Sequence, residues 1–359
     1  MKTSKAPVDF FLGAVGAQGF HCYFEELAHE PGRRMYLIKG GPGCGKSTLM
    51  KKLSDQLGGG QRIHCASDPD SLDGILLEQP LAAVIDATDP HAMEPDQPGA
   101  CQKVVDLHHT MDDRQLMAAQ TEIASLFTGY KAHHKHAADF IAAACRLLDA
   151  SQRLVEPGVD TAKVQRYASR LAFQRLPRTQ GTPSQQVRLL SAVTPQGIVV
   201  FYNTVEALAP HKVVLHDCHG AVAPAILQTL RQIALERGYS IIACPCPLHP
   251  QRLEHLFIPQ LGLAFLTSNA FHPMAFEGQK NIHCSRFLKP EFQLPKKRLR
   301  LYQNLASQLL HQASCCQQDA KALHDLLEQY YQAAVDFAQV DEVAAALSQD
   351  IAQLASPSV

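Results

Sequence analysis

The sequence has almost no net charge. Its 33 Lys and Arg stand against 34 Asp and Glu, a formal -1 over 359 residues. A chain with no surplus of either sign has no long-range attraction to nucleic acid or to an anionic bilayer, so such binding would need a local patch. No uninterrupted apolar run reaches the length that spans a membrane, and the opening MKTSKAPVDFFLGA has no apolar stretch of the kind a secretory leader carries. Cysteine is present but unpatterned: eleven residues, an odd number, with no C-x-x-C pair. Reduced thiols are therefore expected, not a disulfide framework. These absences together predict a soluble, cytoplasmic protein with no membrane partner. What is present is a globular composition, 46% apolar and 19% charged. That supports one large or two ordinary domains and excludes disordered and fibrous classes.

One motif dominates the first half. MYLIK, Met35 to Lys39, reads as a short buried strand, GGPGCGKS follows at Gly40 to Ser47, and TLMKKLSDQL continues with helical spacing at Leu49, Leu53 and Leu57. This is G-x-x-x-x-G-K-[ST] between a strand and a helix, the context in which such a loop cradles phosphate. Glycines let successive backbone N–H groups turn inward, and the helix N-terminus adds its positive dipole. The expected nucleotide contacts are Gly40, Gly41, Pro42, Gly43, Cys44, Gly45, Lys46, Ser47 and Thr48. Lys46 would supply charge to the β and γ phosphates, and the Ser47 hydroxyl would bind Mg²⁺.

A carboxylate at the end of a neighbouring strand should complete the metal site. LAAVIDAT, Leu81 to Thr88, offers Asp86 after an apolar run. No glutamate follows it, so the catalytic base is not assigned. CASDPDSLDG, Cys65 to Gly74, places Asp68, Asp70 and Asp73 where a second loop would lean over the nucleotide. One of these could orient water or an acceptor. Alternatively, Asp68 and Ser71 are turn and cap residues for a helix SLDGILL.

The chain repeats itself. GAVGAQGF at Gly13 recurs as SAVTPQGI at Ser191, and nearly the same spacing lays YLIKGGPGCGKSTL on VVLHDCHGAVAPAI. Asp217 then falls on Gly40, Val222 on Gly45, Ala223 on Lys46 and Pro224 on Ser47. Further on, Cys65 falls on Cys244, AAVIDAT on LAFLTSN with Thr267 for Asp86, and DPHAM is echoed by AFHPM. Self-similarity on this scale means a duplicated domain. The expected fold is α/β, two tandem domains at 1–180 and 181–359. Each is a parallel sheet flanked by helices and followed by a helical hairpin, Arg114 to Leu176 and Lys297 to Leu354. The second loop has lost the lysine, the hydroxyl and the metal carboxylate together, so one working site and one pseudo-domain are expected.

The set GAVGAQGF, IKGGPGCGKSTLMKKL, CASDPDSLDG and VIDATDPH, followed by a second loop-bearing half and a helical tail, resembles a family of bacterial tandem P-loop ATPases. The resemblance covers nearly the whole chain and implies ATP and Mg²⁺ as ligands. In that family the second half commonly has a P-loop of its own, and DCHGAVAP departs from it. Mg-dependent ATP hydrolysis in the first half is the expected function. A nucleotide or small-molecule kinase and a non-hydrolysing switch that engages a protein partner are the alternatives. No N-K-x-D string suggests guanine, and an arginine finger could come from Arg166, Arg170 or Arg175.

Three other groups stand out. His216, His219, Cys244, Cys246 and His249 are ligand types for zinc that strand ends of the second half could gather. HHKH, His133 to His136, fits a solvated helix face. PKKRLR, Pro295 to Arg300, lacks aromatic interleaving and reads as a polar helix start, which argues against nucleic acid.

Overall fold

The computed structural model describes residues 7–28, 30–58 and 60–354. Residues 1–6, the start of the stretch MKTSKAPVDFFLGA, and 355–359, which close the second predicted domain, lie outside the described part.

The first half comprises β1 (Val8–Phe11), β2 (Gly13–Gly16), β3 (Gly19–Cys22), α1 (Phe24–Ala28), β4 (Arg34–Lys39), α2 (Lys46–Leu57), β5 (Gln61–His64), β6 (Leu72–Glu78), β7 (Leu81–Asp86), β8 (Gln102–Asp106), α3 (Asp113–Ala118), α4 (Gln120–Val155) and α5 (Thr161–Arg175). The second comprises β9 (Ser184–Val187), β10 (Ser191–Thr194), β11 (Gly197–Val200), α6 (Tyr202–Leu208), β12 (His211–His216), α7 (Ala223–Glu236), β13 (Ser240–Pro245), β14 (Leu253–Ile258), β15 (Leu263–Ser268), β16 (Lys280–His283), α8 (Lys296–Ala334) and α9 (Phe337–Leu354).

Each half builds a six-stranded sheet. The orders, β1-β5-β6-β7-β4-β8 and β9-β13-β14-β15-β12-β16, match strand for strand. Register matches as well: Asp86 pairs with Ile38 and Thr267 with the equivalent Leu215. The sheets are mixed, not wholly parallel, because β6 and β14 run antiparallel to both neighbours. This overturns the helix expected over SLDGILL. A segment this short, ending in the apolar run Ile75 to Leu77, suits a strand buried on both faces as well as a helix, and here sheet pairing wins. The register also corrects one correspondence. Ile63 pairs with Gly74 and Cys244 with His255, so Cys65 matches Cys246 and not Cys244.

Strands buried on both faces need cover on both. Along β4 the side chains alternate: Met35 and Leu37 face a core shared with Val214, Phe257 and Leu266 of the other sheet, while Tyr36 and Ile38 face α2. Val213 and Leu215 likewise face α7. The halves thus stack back to back, with α1 and α6 contributing Phe24, Leu27 and Val205 to the middle layer.

The helical extensions are exchanged between the halves. α5 does not return to its own sheet: Val164, Ala168 and Leu171 pack against Ile226, Leu227 and Leu230 of α7. α9 crosses the other way, placing Val340, Ala344, Leu347 and Ile351 against Leu49, Met50 and Leu53 of α2. The long helices that carry them pair with each other. Ala137, Ile141, Ala144 and Cys145 of α4 meet Ala306, Leu310 and Ala313 of α8. Alanines on both faces let the axes approach closely, so the self-contained hairpins expected after each half are replaced by one α4–α8 pair that bridges them.

Candidate functional site

β4 delivers the chain to the carboxyl edge of the first sheet, and the Gly40–Gly45 loop turns it into α2. Gly43 (φ 66°) and Gly45 (φ 90°) occupy left-handed conformations that side chains resist, which explains glycine at both positions. No side chain caps α2, so its first amides face the loop without an internal anion. Lys46 Nζ donates to the carbonyls of Gly40 and Gly41, both at 2.8 Å, and lies 3.5 Å from Asp86 Oδ2. The sequence-predicted Lys46, Asp86 and loop glycines therefore converge. Ser47 Oγ, in the first turn of α2, accepts the Leu72 amide at 2.9 Å and keeps a second lone pair. Asp86 Oδ1 is held by the Thr88 amide and hydroxyl at 3.1 and 2.6 Å, which leaves Oδ2 for other use. Gly40 and Cys44 are buried, and burial above all pushes the Cys44 thiol up. Pro42 is half-buried and Thr48 is exposed.

The three aspartates of the CASDPDSLDG loop separate. Asp68 accepts from Ser71 Oγ at 2.7 Å, as the turn reading required, and its other oxygen faces Lys321 of α8 at 3.8 Å. Asp70 accepts from Gln196 of the second half. Asp73 is buried on β6 and pairs with His91 at 3.4 Å. Burial opposes charge on His91 most strongly, but the Asp73 contact and Asp86 outweigh it and raise its pKa.

The cover over this loop comes from the far end of the chain. A Cβ at Gly41 would meet the Tyr331 ring at 2.6 Å, and one at Gly43 would meet the Glu328 carbonyl at 2.9 Å. Burial lowers the His324 pKa, and the Lys46 charge adds to that direction. Sequence reasoning missed Lys321, His324, Glu328 and Tyr331, because no local signal connects α8 with a loop nearly 300 residues earlier. Arg166, Arg170 and Arg175 lie on α5, which packs on the second half and not at this loop.

The second loop is a structural copy with different chemistry. Gly220 keeps the left-handed turn of Gly43 at the same φ of 66°, but Val222, in the place of Gly45, has φ -124°. Asp217 folds into the loop. Its Oδ2 accepts the amides of Val222 and Ala223 at 2.8 and 2.7 Å, and Oδ1 accepts that of His219 at 3.3 Å. A carboxylate of the chain itself thus takes the place an anion would occupy at the start of α7. The following CPLHPQR loop repeats CASDPDS bond for bond, Cys246 N to Arg252 O matching Cys65 N to Ser71 O. His249 stands in the place of Asp68 and meets Asp149 of α4 at 3.5 Å.

The predicted zinc-type residues do not gather. His216 stacks on His283 and bonds Asn281, and Cys244 is buried in the shared core. His219, Cys246 and His249 line a cavity beside the second loop. Among the described residues, metal-compatible spacing is found in Glu254, His255 and His272 and in His324, Asp325 and Glu328. The DPHAM and AFHPM echo was the one sequence signal that touched the first of these.

No described helix is long and apolar enough to cross a membrane. Comparison with family models, curated proteins and solved structures finds no match to the chain.

Proposed function

We propose that the first half binds a nucleoside triphosphate, ATP by default, and hydrolyses it with Mg²⁺, and that the second half acts as a non-binding partner domain. The observation that carries this reading is Lys46 held over the carbonyls of Gly40 and Gly41 beside Asp86, at the uncapped start of α2. A lysine parked on loop carbonyls has donors ready for phosphate oxygens, and the turn amides and helix dipole add positive potential at the same point. Ser47 Oγ and Asp86 Oδ2 would hold the magnesium. Two protein oxygens are a usual complement for this ion, which keeps its waters and the substrate phosphates as further ligands and supplies charge neutralisation. Positioning and charge, more than covalent chemistry, would carry catalysis.

Of the aspartates that could serve a kinase acceptor, Asp73 pairs with His91 and Asp70 accepts from Gln196, while Asp68 Oδ1 is buried without a hydrogen-bond donor among the described residues. In favour of a switching element, Glu328 and Tyr331 of α8 rest directly on Gly43 and Gly41. Phosphate entering the loop must compete with that contact, so nucleotide occupancy would be felt along α8 in the second half.

The test is turnover of the four NTPs by purified protein with Mg²⁺, with Lys46→Ala as control. Loss of one contact to developing phosphate charge is expected to lower turnover at least ~100-fold. Turnover and nucleotide affinity that are unchanged in Lys46→Ala would sink the proposal.

A further inference from the structure

The second half has a cluster that the first half lacks. Glu254 and His255 lie at the start of β14, and His272 in the loop after β15. All three belong to the sheet edge to which the parallel strands deliver their carboxyl ends. Each is more than nine-tenths buried, at 8%, 1% and 4% exposure. The donor atoms lie within 4.8 Å of one another: Glu254 Oε1 is 3.3 Å from His272 Nε2, and Glu254 Oε2 is 3.7 Å from His255 Nε2.

The internal repeat provides a control. Register makes Gly74 the equivalent of His255 and so Asp73 that of Glu254, and the DPHAM and AFHPM echo makes His91 the equivalent of His272. The first half keeps the carboxylate–imidazole pair, Asp73 to His91 at 3.4 Å, although its His91 Nδ1 is also buried without a hydrogen-bond partner among the described residues. The second adds an imidazole where the first has no side chain. That addition is not absorbed by hydrogen bonding, because His255 Nε2 is buried with no hydrogen-bond partner among the described residues. Thr267 Oγ1, at the position of Asp86, is likewise buried without one. Leaving such groups unpaired is costly, and each calls for an explanation.

We propose that Glu254, His255 and His272 form a binding site for one divalent transition-metal ion, zinc in the first instance. Two imidazoles and a carboxylate are a common zinc donor set, and donors around a tetrahedral zinc stand roughly 3.3 Å apart, close to the spacings here. An ion on His255 Nε2 removes the first orphan. Glu254 and His272 line a cavity of about 100 Å³ together with Thr267, Asn269, His249 and Cys218, and a metal-bound water on that side would receive the Thr267 hydroxyl. Coordination through Nε2 puts the ring proton on Nδ1, which gives up the long 3.3 Å contact from the Thr267 amide. That contact is weak beside a metal–nitrogen bond. The open fourth position makes this the arrangement of a ligand-binding or Lewis-acid site more than a closed structural one.

The experiment uses the full chain, stripped with a chelator and titrated with Zn²⁺ against a chromophoric competitor, with Co²⁺ absorption as a second reading. One tight equivalent per chain and a visible Co²⁺ band of low-symmetry N/O coordination are expected, with affinity falling at least 100-fold in His255→Ala and His272→Ala. His324→Ala, in the half-exposed cluster on α8, should bind like wild type. Stripped wild-type protein that takes up no stoichiometric Zn²⁺ would overturn the proposal whether or not the variants fold. So would loss of uptake in His324→Ala with retention in His255→Ala. Because no nucleotide is added, failure here is separable from failure of the ATPase reading.

Discussion

Asp217→Ala offers a direct measure of what holds the second loop together. The side chain is 5% exposed, and one oxygen takes two amides at the start of α7, Val222 at 2.8 Å and Ala223 at 2.7 Å. Removing an ordinary helix cap costs about 0.5–2 kcal/mol. Here two buried donors lose their acceptor at once, and each unsatisfied group costs roughly 1–3 kcal/mol before water from the neighbouring cavity recovers part of it. A net loss of about 2–4 kcal/mol follows, with Asp217→Asn near half of that because one acceptor oxygen survives. Equilibrium urea unfolding gives the total, and hydrogen exchange at Val222 and Ala223 localises it. The vacated start of α7 should then accept an external anion, so sulfate should restore more stability to Asp217→Ala than it adds to wild type, measured against chloride at equal ionic strength. A loss below about 0.5 kcal/mol, or equal sulfate effects on both proteins, would refute the view that Asp217 is the built-in anion of this loop.

Exchange of the extensions predicts effects at a distance in sequence. Ile351 is fully buried against α2, so Ile351→Ala should cost about 2–5 kcal/mol and raise hydrogen exchange in α2 of the first half, not in the second sheet. Leu171→Ala should do the converse and loosen α7. The α4–α8 pair should be acid-sensitive. Burial, then His324 and His133, depresses His134 to about 4 from its ordinary 6.5. The unfolded chain therefore binds this proton first, and the stability held above pH 6.5 is lost as pH falls towards about 4. Substituting His134→Gln should flatten that part of the stability–pH curve. His91 has the opposite sign. With its pKa raised, its contribution is full below about 6.5 and lost above the folded value, so His91→Gln should cost more at pH 5.5 than at pH 8.5.

Much of the first site was legible because its signals are local. Glycines at 43 and 45 answer to backbone conformation at those very residues, and a lysine one step into a helix is placed by the helix itself. Asp86 was legible at one remove, as the residue that ends a buried run. Asp73 was readable as an acid but not as the buried partner of His91, since that pairing depends on β6 being a strand, and the periodicity of so short a segment does not distinguish strand from helix. His255 was invisible for the same reason: its meaning lies in standing where the first half has Gly74, a register fact.

The amino-acid sequence by itself determined the duplication, the strand–loop–helix at Met35 to Leu57, and the loss of lysine, hydroxyl and carboxylate from the second half. Only the tertiary structure decided which helix covers which sheet. Both α5 and α9 carry an apolar stripe, and a stripe specifies burial but not a partner, because hydrophobic attraction has no direction. The choice falls to geometry. α4 and α8 have 36 and 39 residues, about 54 and 58 Å at the helical rise, too long to fold back within one half and long enough to reach the other.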